Sequence, residues 1–398
     1  MASLSKERPA AALGYTMAAQ AAISVAQTMP AVLAPAIAPA LGMATHRLGL
    51  FMGIVYACGM ISGLGGSGTI ARHGALRVTQ LALLTMAAGL LLLASGSLVG
   101  AIAAALAIGT AYGLINPAAS AVLGVHVPPN RRGLFFSLKQ TGVPIGIAIA
   151  GLLGPWLYGR FGWPGALGGI AMLCGLIALA LQPGVAAFDV RVPTPTVRTA
   201  WYFPLRTVLG DAALSRLGIV SLVYGATQVG LVSFMVSYLA ATHHYPLALA
   251  AGVLSAAQVA SVIGRPFWGW VADRYVAPAT LLGLLGIASA VTIGAFALMP
   301  TSPPYPLALC LAIACAATAI AWNGVFFAEL AHRVPVPQLG AVTGGIQFLT
   351  FLGGMSGPLL VGTIVGEAGR YRVALSTTAA LTALAALAML LDRSKRRA

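Results

Sequence analysis

About twelve apolar runs, each long enough to cross a lipid bilayer, follow one another along this chain with only short polar breaks. A spanning helix needs about 20 apolar residues, because the hydrocarbon core is roughly 30 Å thick and a helix rises about 1.5 Å per residue. Such runs fall at approximately 12–41, 46–70, 75–95, 97–125, 133–159, 163–183, 212–241, 246–272, 277–299, 305–331, 338–366 and 371–391. A backbone in lipid must satisfy its own hydrogen bonds, so each run is read as a helix. Composition excludes water as the main solvent. Only 7% of the residues are charged and 59% are apolar, with a mean hydropathy of +0.92. A soluble domain carries about 25% charged residues. Twelve spans use about 240 residues, so no sizeable soluble domain is expected.

The basic residues set the orientation. With the N-terminus in the cytoplasm, fifteen Lys and Arg fall on the inner side, among them Arg72, Arg77, Arg131, Arg132, Arg274 and Arg393. Only Arg47, Arg160, Arg370 and Arg372 fall outside. This bias predicts both termini inside and a multi-pass protein of a bacterial-type inner membrane. The net charge of +15 therefore reads as topology, not nucleic-acid binding. Met1–Ala11 is a short polar tail before a run long enough to span, so no cleavable signal peptide is expected. Cys58, Cys174, Cys310 and Cys315 lie in apolar stretches without metal-ligand spacing and are read as packing residues.

The chain divides into residues 1–183, a first six-helix bundle; 184–211, a cytoplasmic linker; and 212–398, a second six-helix bundle with a basic cytoplasmic tail. The halves repeat. Asn116 matches Asn323 and Gly133 matches Gly340 at an offset of 207, Gly154–Pro155 matches Gly357–Pro358 at 203, and Ala71–Arg72 falls opposite Asp273–Arg274 at 202.

Charge inside a bilayer costs roughly 2.5–3.5 kcal/mol per residue on insertion scales. Three charged residues lie well inside the spans: Lys139, Arg265 and Glu329. Two readings stay open for the cations. They snorkel to the interface, or they make an electropositive cavity in which an Arg fork grips a carboxylate. Glu329 either pairs with Arg333 at i,i+4 or couples protons. Uncharged polar residues form a second set: Gln20, Ser24 and Gln27 on one face of the first span, Tyr224 and Gln228 on the seventh, Tyr112 with Asn116, Trp322 with Asn323, and Gln258 with Ser261 before Arg265. In lipid such groups need partners and should face the bundle interior. No Walker loop, nucleophile elbow or His-Glu-x-x-His motif occurs. No enzyme, metal or cofactor is expected.

Gly269-Trp270-Val271-Ala272-Asp273-Arg274 and Arg72-His73-Gly74-Ala75-Leu76-Arg77 resemble the loop signature of the major facilitator superfamily, with Ala71 and Ser67 where the family has Asp and Gly. Gly151, Gly154, Pro155 and Gly159 resemble a packing motif of the family. Arg131-Arg132-Gly133 through Lys139-Gln140-Thr141-Gly142-Val143-Pro144 resembles bacterial cyanate and organic-anion carriers. Gly264-Arg265-Pro266 is similar to oxalate and monocarboxylate carriers, in which an Arg at this point binds carboxylate. The resemblance implies an all-α fold of twelve helices in two pseudo-symmetric bundles, with the first, fourth, seventh and tenth helices lining a cavity. It implies a monomeric secondary carrier moving a small solute between the halves by alternating access, with protons or a counter-substrate as coupling partners. Arg72, Gly74, Arg77, Gly269, Asp273 and Arg274 would be the conformational loop elements. The preferred substrate is a small organic anion, a monocarboxylate or dicarboxylate, held by Arg265 and Lys139 and walled by Gln20, Gln27, Tyr112, Asn116, Tyr224, Gln228, Gln258, Ser261, Trp322 and Asn323. The alternative is a proton-coupled exporter of drugs or other hydrophobic compounds.

Overall fold

The structure is a computed structural model that describes residues 8–42, 48–189, 202–366 and 368–391. Lys6, Arg47, residues 190–201 of the expected linker and the basic tail Arg393–Arg397 lie outside the described residues. Among the described residues the regular structure is helical throughout. Ten stretches are long and apolar enough to cross a membrane. One of them, Pro129–Ala180, is two helices joined at Gly162, whose φ of 66° and ψ of 177° leave the helical region; such a backbone is open to glycine and strained for other residues. A further helix, α1 (Pro9–Val32), is long enough but carries the polar set Gln20, Ser24 and Gln27. Together these make twelve spans.

The elements are α1, α2 (Ala34–Ala40), α3 (Leu48–His73), α4 (Ala75–Ala94), α5 (Leu98–His126), α6 (Arg132–Ala180), α7 (Gln182–Phe188), α8 (Phe203–Gly210), α9 (Ala212–His243), α10 (Leu247–Arg274), α11 (Pro278–Ala297), α12 (Tyr305–Cys315), α13 (Asn323–Arg333), α14 (Val336–Val365) and α15 (Tyr371–Leu390). Their ends follow local chemistry. The Asp211 carboxylate accepts from the amides of Ala213 (2.9 Å) and Leu214 (2.8 Å) and starts α9. The Ser97 hydroxyl accepts from the Gly100 amide (3.0 Å) and starts α5. Both are side-chain caps of the N-terminal orphan amides.

The chain forms two compact units. Unit 1 comprises Met1–Pro129, Lys139–Thr207 and Arg333–Phe348; unit 2 comprises Asn130–Leu138, Val208–His332 and Leu349–Ala398. Each unit is held by helices that meet at glycine. In unit 1, a Cβ on Gly109 or Gly113 of α5 would overlap the backbone of α3 at Val55 or Gly59. In unit 2, a Cβ on Gly353 or Gly357 of α14 would overlap α9 at Leu222 or Ala226. Lipid supplies no hydrophobic drive between helices, so close van der Waals contact through small residues takes that part.

Candidate functional site

Unit 1 brings three amide side chains to Lys139. This residue of α6 is 2% exposed. Its Nζ donates to Gln20 Oε1 of α1 (2.6 Å), to Asn116 Oδ1 of α5, and to Gln140 Oε1 (3.2 Å). Gln20 Nε2 in turn donates to Ser24 Oγ (3.3 Å). The reach depends on two glycines of α6. A Cβ on Gly142 would sit 3.1 Å from Gln20 Cβ and from Met17 O, and one on Gly146 would press on Ala21 O at 2.6 Å. Three of the residues singled out in the sequence, Lys139, Gln20 and Asn116, thus meet in one cluster. The three acceptors named are neutral amide oxygens, which solvate an ammonium without cancelling its charge. Tyr112, one turn before Asn116, stands edge-on to Tyr56 at 6.4 Å. Gln27 is buried farther along α1.

Beside this cluster α5 contains Pro117. Proline has no N–H, so the carbonyl four residues back, Gly113 O, loses its helical donor. Gln347 Nε2 of α14 donates to it instead, at 2.9 Å. At the same level a Cβ on Gly344 would overlap Gly63 O of α3. Gln347 escaped the sequence reading. Pro117 announces that a carbonyl needs a donor, but not which helix provides one.

Unit 2 has a second interruption. The tenth span, expected as one helix over 305–331, runs as α12 to Cys315, widens into a π-helical turn at Ala316–Ile320, and restarts as α13 at Asn323. Two side chains of α10 take carbonyls exposed by the break. Trp268 Nε1 donates to Ala317 O (2.6 Å) and an Arg265 guanidinium nitrogen donates to Ile320 O (3.3 Å). Arg265 is 2% exposed, and Gly264 lets α10 approach, its added Cβ lying 3.3 Å from Ala321 Cβ. Beyond the break Trp322 Nε1 (3.0 Å) and Asn323 Nδ2 (3.3 Å) both donate to Gln228 Oε1 of α9. Tyr224 stands edge-on to Trp322 at 5.4 Å, and its hydroxyl donates to Leu282 O at 3.0 Å. Gln228, Trp322, Asn323 and Tyr224 therefore form one group. Ser261 does not join it: its hydroxyl donates to Gln258 O in its own helix (2.9 Å). Gln258 is half-buried on α10. Glu329 is buried on α13.

The loop residues resolve into two carboxylate caps. In unit 2, Asp273 at the end of α10 accepts from the amides of Gly133 (2.7 Å) and Leu134 (2.8 Å) at the start of α6. Gly133 and Gly269 allow this, because a Cβ on either would overlap the other's carbonyl oxygen. In unit 1, with Ala71 in the matching place, a carboxylate from elsewhere caps a helix. Asp189, after α7, accepts from Leu76 N (2.8 Å) and Arg77 N (2.7 Å) at the start of α4. Gly74 has φ 90°, and a side chain there would fall on the Asp189 carboxylate. Burial pushes the Asp189 carboxyl above the usual carboxylate range, against the lowering by its amide donors and by Arg77. Arg77 also donates to Gln80 (2.9 Å) and Gln182 (3.3 Å). Arg72 and Arg274 are exposed at helix ends.

The fold has close counterparts. The E. coli fucose:proton symporter FucP superposes with a TM-score of 0.76 over 95% of this chain and 97% of its own, at 16% identity. Among sequence relatives, an uncharacterised MFS-type transporter of Mycobacterium tuberculosis is 26% identical over 261 residues, 65% of this chain and 57% of that protein. The probable nitrate/nitrite transporter NarK2 of the same species is 27% identical over 272 residues, 63% of this chain and 64% of the relative. Monocarboxylate transporter 13 of Rattus norvegicus is 26% identical over 247 residues, 61% and 55%. The chain thus spans under two thirds of the length of each of these relatives. The profile of the family described as Major Facilitator Superfamily matches residues 16–344; with twelve helical spans and this superposition, the chain belongs to the Major Facilitator Superfamily.

Proposed function

We propose that this protein is a secondary active transporter, not an enzyme, that moves a small anion across the inner membrane by alternating access. The observation that carries the reading is the buried Lys139 ammonium, held by side-chain amides from α1 and α5. An anion brings the charge that those amides lack, and Gln20 and Asn116 can turn their NH₂ groups toward it. Two relatives point the same way by name, one to nitrate and nitrite and one to monocarboxylates. A monocarboxylate or dicarboxylate is the preferred substrate, with Arg265 as a second cation. The working topology is a monomer with both termini in the cytoplasm, six-helix halves at 1–183 and 212–398, a linker at 184–211, and proton or counter-substrate coupling. The Asp273 and Asp189 caps, with Arg72, Gly74, Arg77, Gly269 and Arg274, act as its conformational hinges.

The test is thermal stabilisation of the purified protein by small carboxylates, nitrate, cyanate and cationic drugs, since a ligand of the folded state raises its apparent stability. A carboxylate response that disappears in Lys139→Gln supports the anion carrier. A second reading, a proton-coupled drug exporter, is favoured by the buried Glu329 of α13. A response confined to cationic or neutral lipophilic compounds, lost in Glu329→Gln, selects it instead.

A further inference from the structure

Two buried oxygens of α14 lie in unit 1 without a hydrogen-bond partner among the described residues: Gln347 Oε1 and Thr343 Oγ1. Gln347 is 3% exposed and Thr343 is 0% exposed. They are four residues apart, hence on one helix face. The orientation of the Gln347 amide is fixed, because its Nε2 donates to Gly113 O, the carbonyl that Pro117 leaves without a helical donor. Its Oε1 must therefore point away from that bond with its acceptor capacity unused. A buried acceptor in this state is costly unless something donates to it. Gly113 and Asn116 share one face of α5, about 4.5 Å apart along its axis, and Asn116 holds Lys139 Nζ. The carbonyl that holds the Gln347 amide thus lies one helical turn from the residue that binds the ammonium.

We infer that Gln347 and Thr343 form a hydroxyl-recognition subsite beside Lys139, so that the carried anion is a hydroxy-carboxylate. This rests on the anion-carrier reading and narrows it. Nitrate, cyanate, acetate and formate present acceptors only and cannot satisfy Gln347 Oε1. A hydroxy acid presents a carboxylate to Lys139 and an O–H to Gln347, with Thr343 able to give or accept a bond.

The test compares matched pairs, glycolate with acetate and lactate with propionate, together with nitrate, by calorimetry on the purified full chain. The wild type is expected to bind the hydroxylated member about tenfold more tightly. Thr343→Val, which keeps shape and leaves the Gln347–Gly113 bond in place, should narrow that gap. Gln347→Leu should close it. Gln347→Leu strips Gly113 O of its donor, so it is also made with Pro117→Ala, which returns a backbone N–H to that carbonyl and keeps the fold. Equal affinity within each pair in the wild type, or nitrate binding more tightly than every hydroxy acid, overturns the inference while leaving an anion carrier in place. An unchanged gap in Pro117→Ala/Gln347→Leu also overturns it. If no anion binds at all, the anion reading itself falls, and this subsite with it.

Discussion

The helix that carries Asn116 runs on through a proline that costs it one backbone hydrogen bond, the span that carries Asn323 is broken beside its asparagine, and the two defects are repaired by different chemistry. In unit 1 the cause is Pro117, and the repair is a neutral amide from Gln347 of α14. In unit 2 the cause is a π-helical turn at Ala316–Ile320, and the repair comes from Trp268 and Arg265 of α10. Broken helices of this kind place backbone groups at the sites of transporters. The difference separates the two buried cations. Arg265 donates to a backbone carbonyl, which cannot turn away without moving the helix. Lys139 donates to side-chain amides, which can change rotamer to admit a ligand. On the proposed function, the Lys139 contacts are therefore the ones that can rearrange around a ligand, whereas the Arg265 bond to Ile320 O ties α10 to the break between α12 and α13.

The contrast can be broken first at Lys139. Lys139→Gln is expected to lower anion transport in proteoliposomes by about a hundredfold, near 3 kcal/mol, with the thermal midpoint unchanged or raised, since a buried charge has gone. A fall in stability with transport intact would assign Lys139 to the scaffold. Arg265→Gln should reverse the pattern. It leaves the Ile320 carbonyl without this donor, costs about 2 kcal/mol of stability, and lowers transport far less than Lys139→Gln does. If the midpoint holds and anion affinity alone collapses, Arg265 is a ligand of the same kind as Lys139. A double-mutant cycle sharpens the unit 1 repair. Gln347→Leu should destabilise the protein by about 1 kcal/mol less in a Pro117→Ala background than in the wild type; additivity would show that Gly113 O does not need Gln347.

The smallest expected effect concerns the caps. A carboxyl whose folded pKa is raised binds its proton more tightly in the native state. Its contribution is complete below the unfolded value of about 3.9 and is lost as pH rises through the higher folded value. Subtracting the Asp189→Asn stability curve from the wild-type curve should therefore leave a difference that declines over that window. An opposite slope would mean that the Leu76 and Arg77 amides outweigh burial.

Much of this was legible beforehand, and the parts that were not have a common cause. Lys139 and Arg265 stood out because each is a charge in an apolar run, and Asn116 and Asn323 because they recur at one offset. The break at 316–320 gave no signal, since Ala-Ala-Thr-Ala-Ile has neither proline nor glycine. Asp189 sat in the expected linker, yet its amide partner Leu76 is 113 residues away. Ser261 looked like part of a polar wall, but its hydroxyl bonds within its own helix.

The sequence by itself determined the solvent, the helical class and the number of spans. Lipid makes those demands on each stretch of about 20 residues separately, since every backbone amide must be satisfied within its own helix. Which buried polar groups meet was decided only by tertiary structure. The Lys139 ammonium reaches an oxygen 119 residues away, and Gln347 repairs a helix 234 residues away. Such pairings depend on how glycine faces let helices approach, and no local rule encodes that distance.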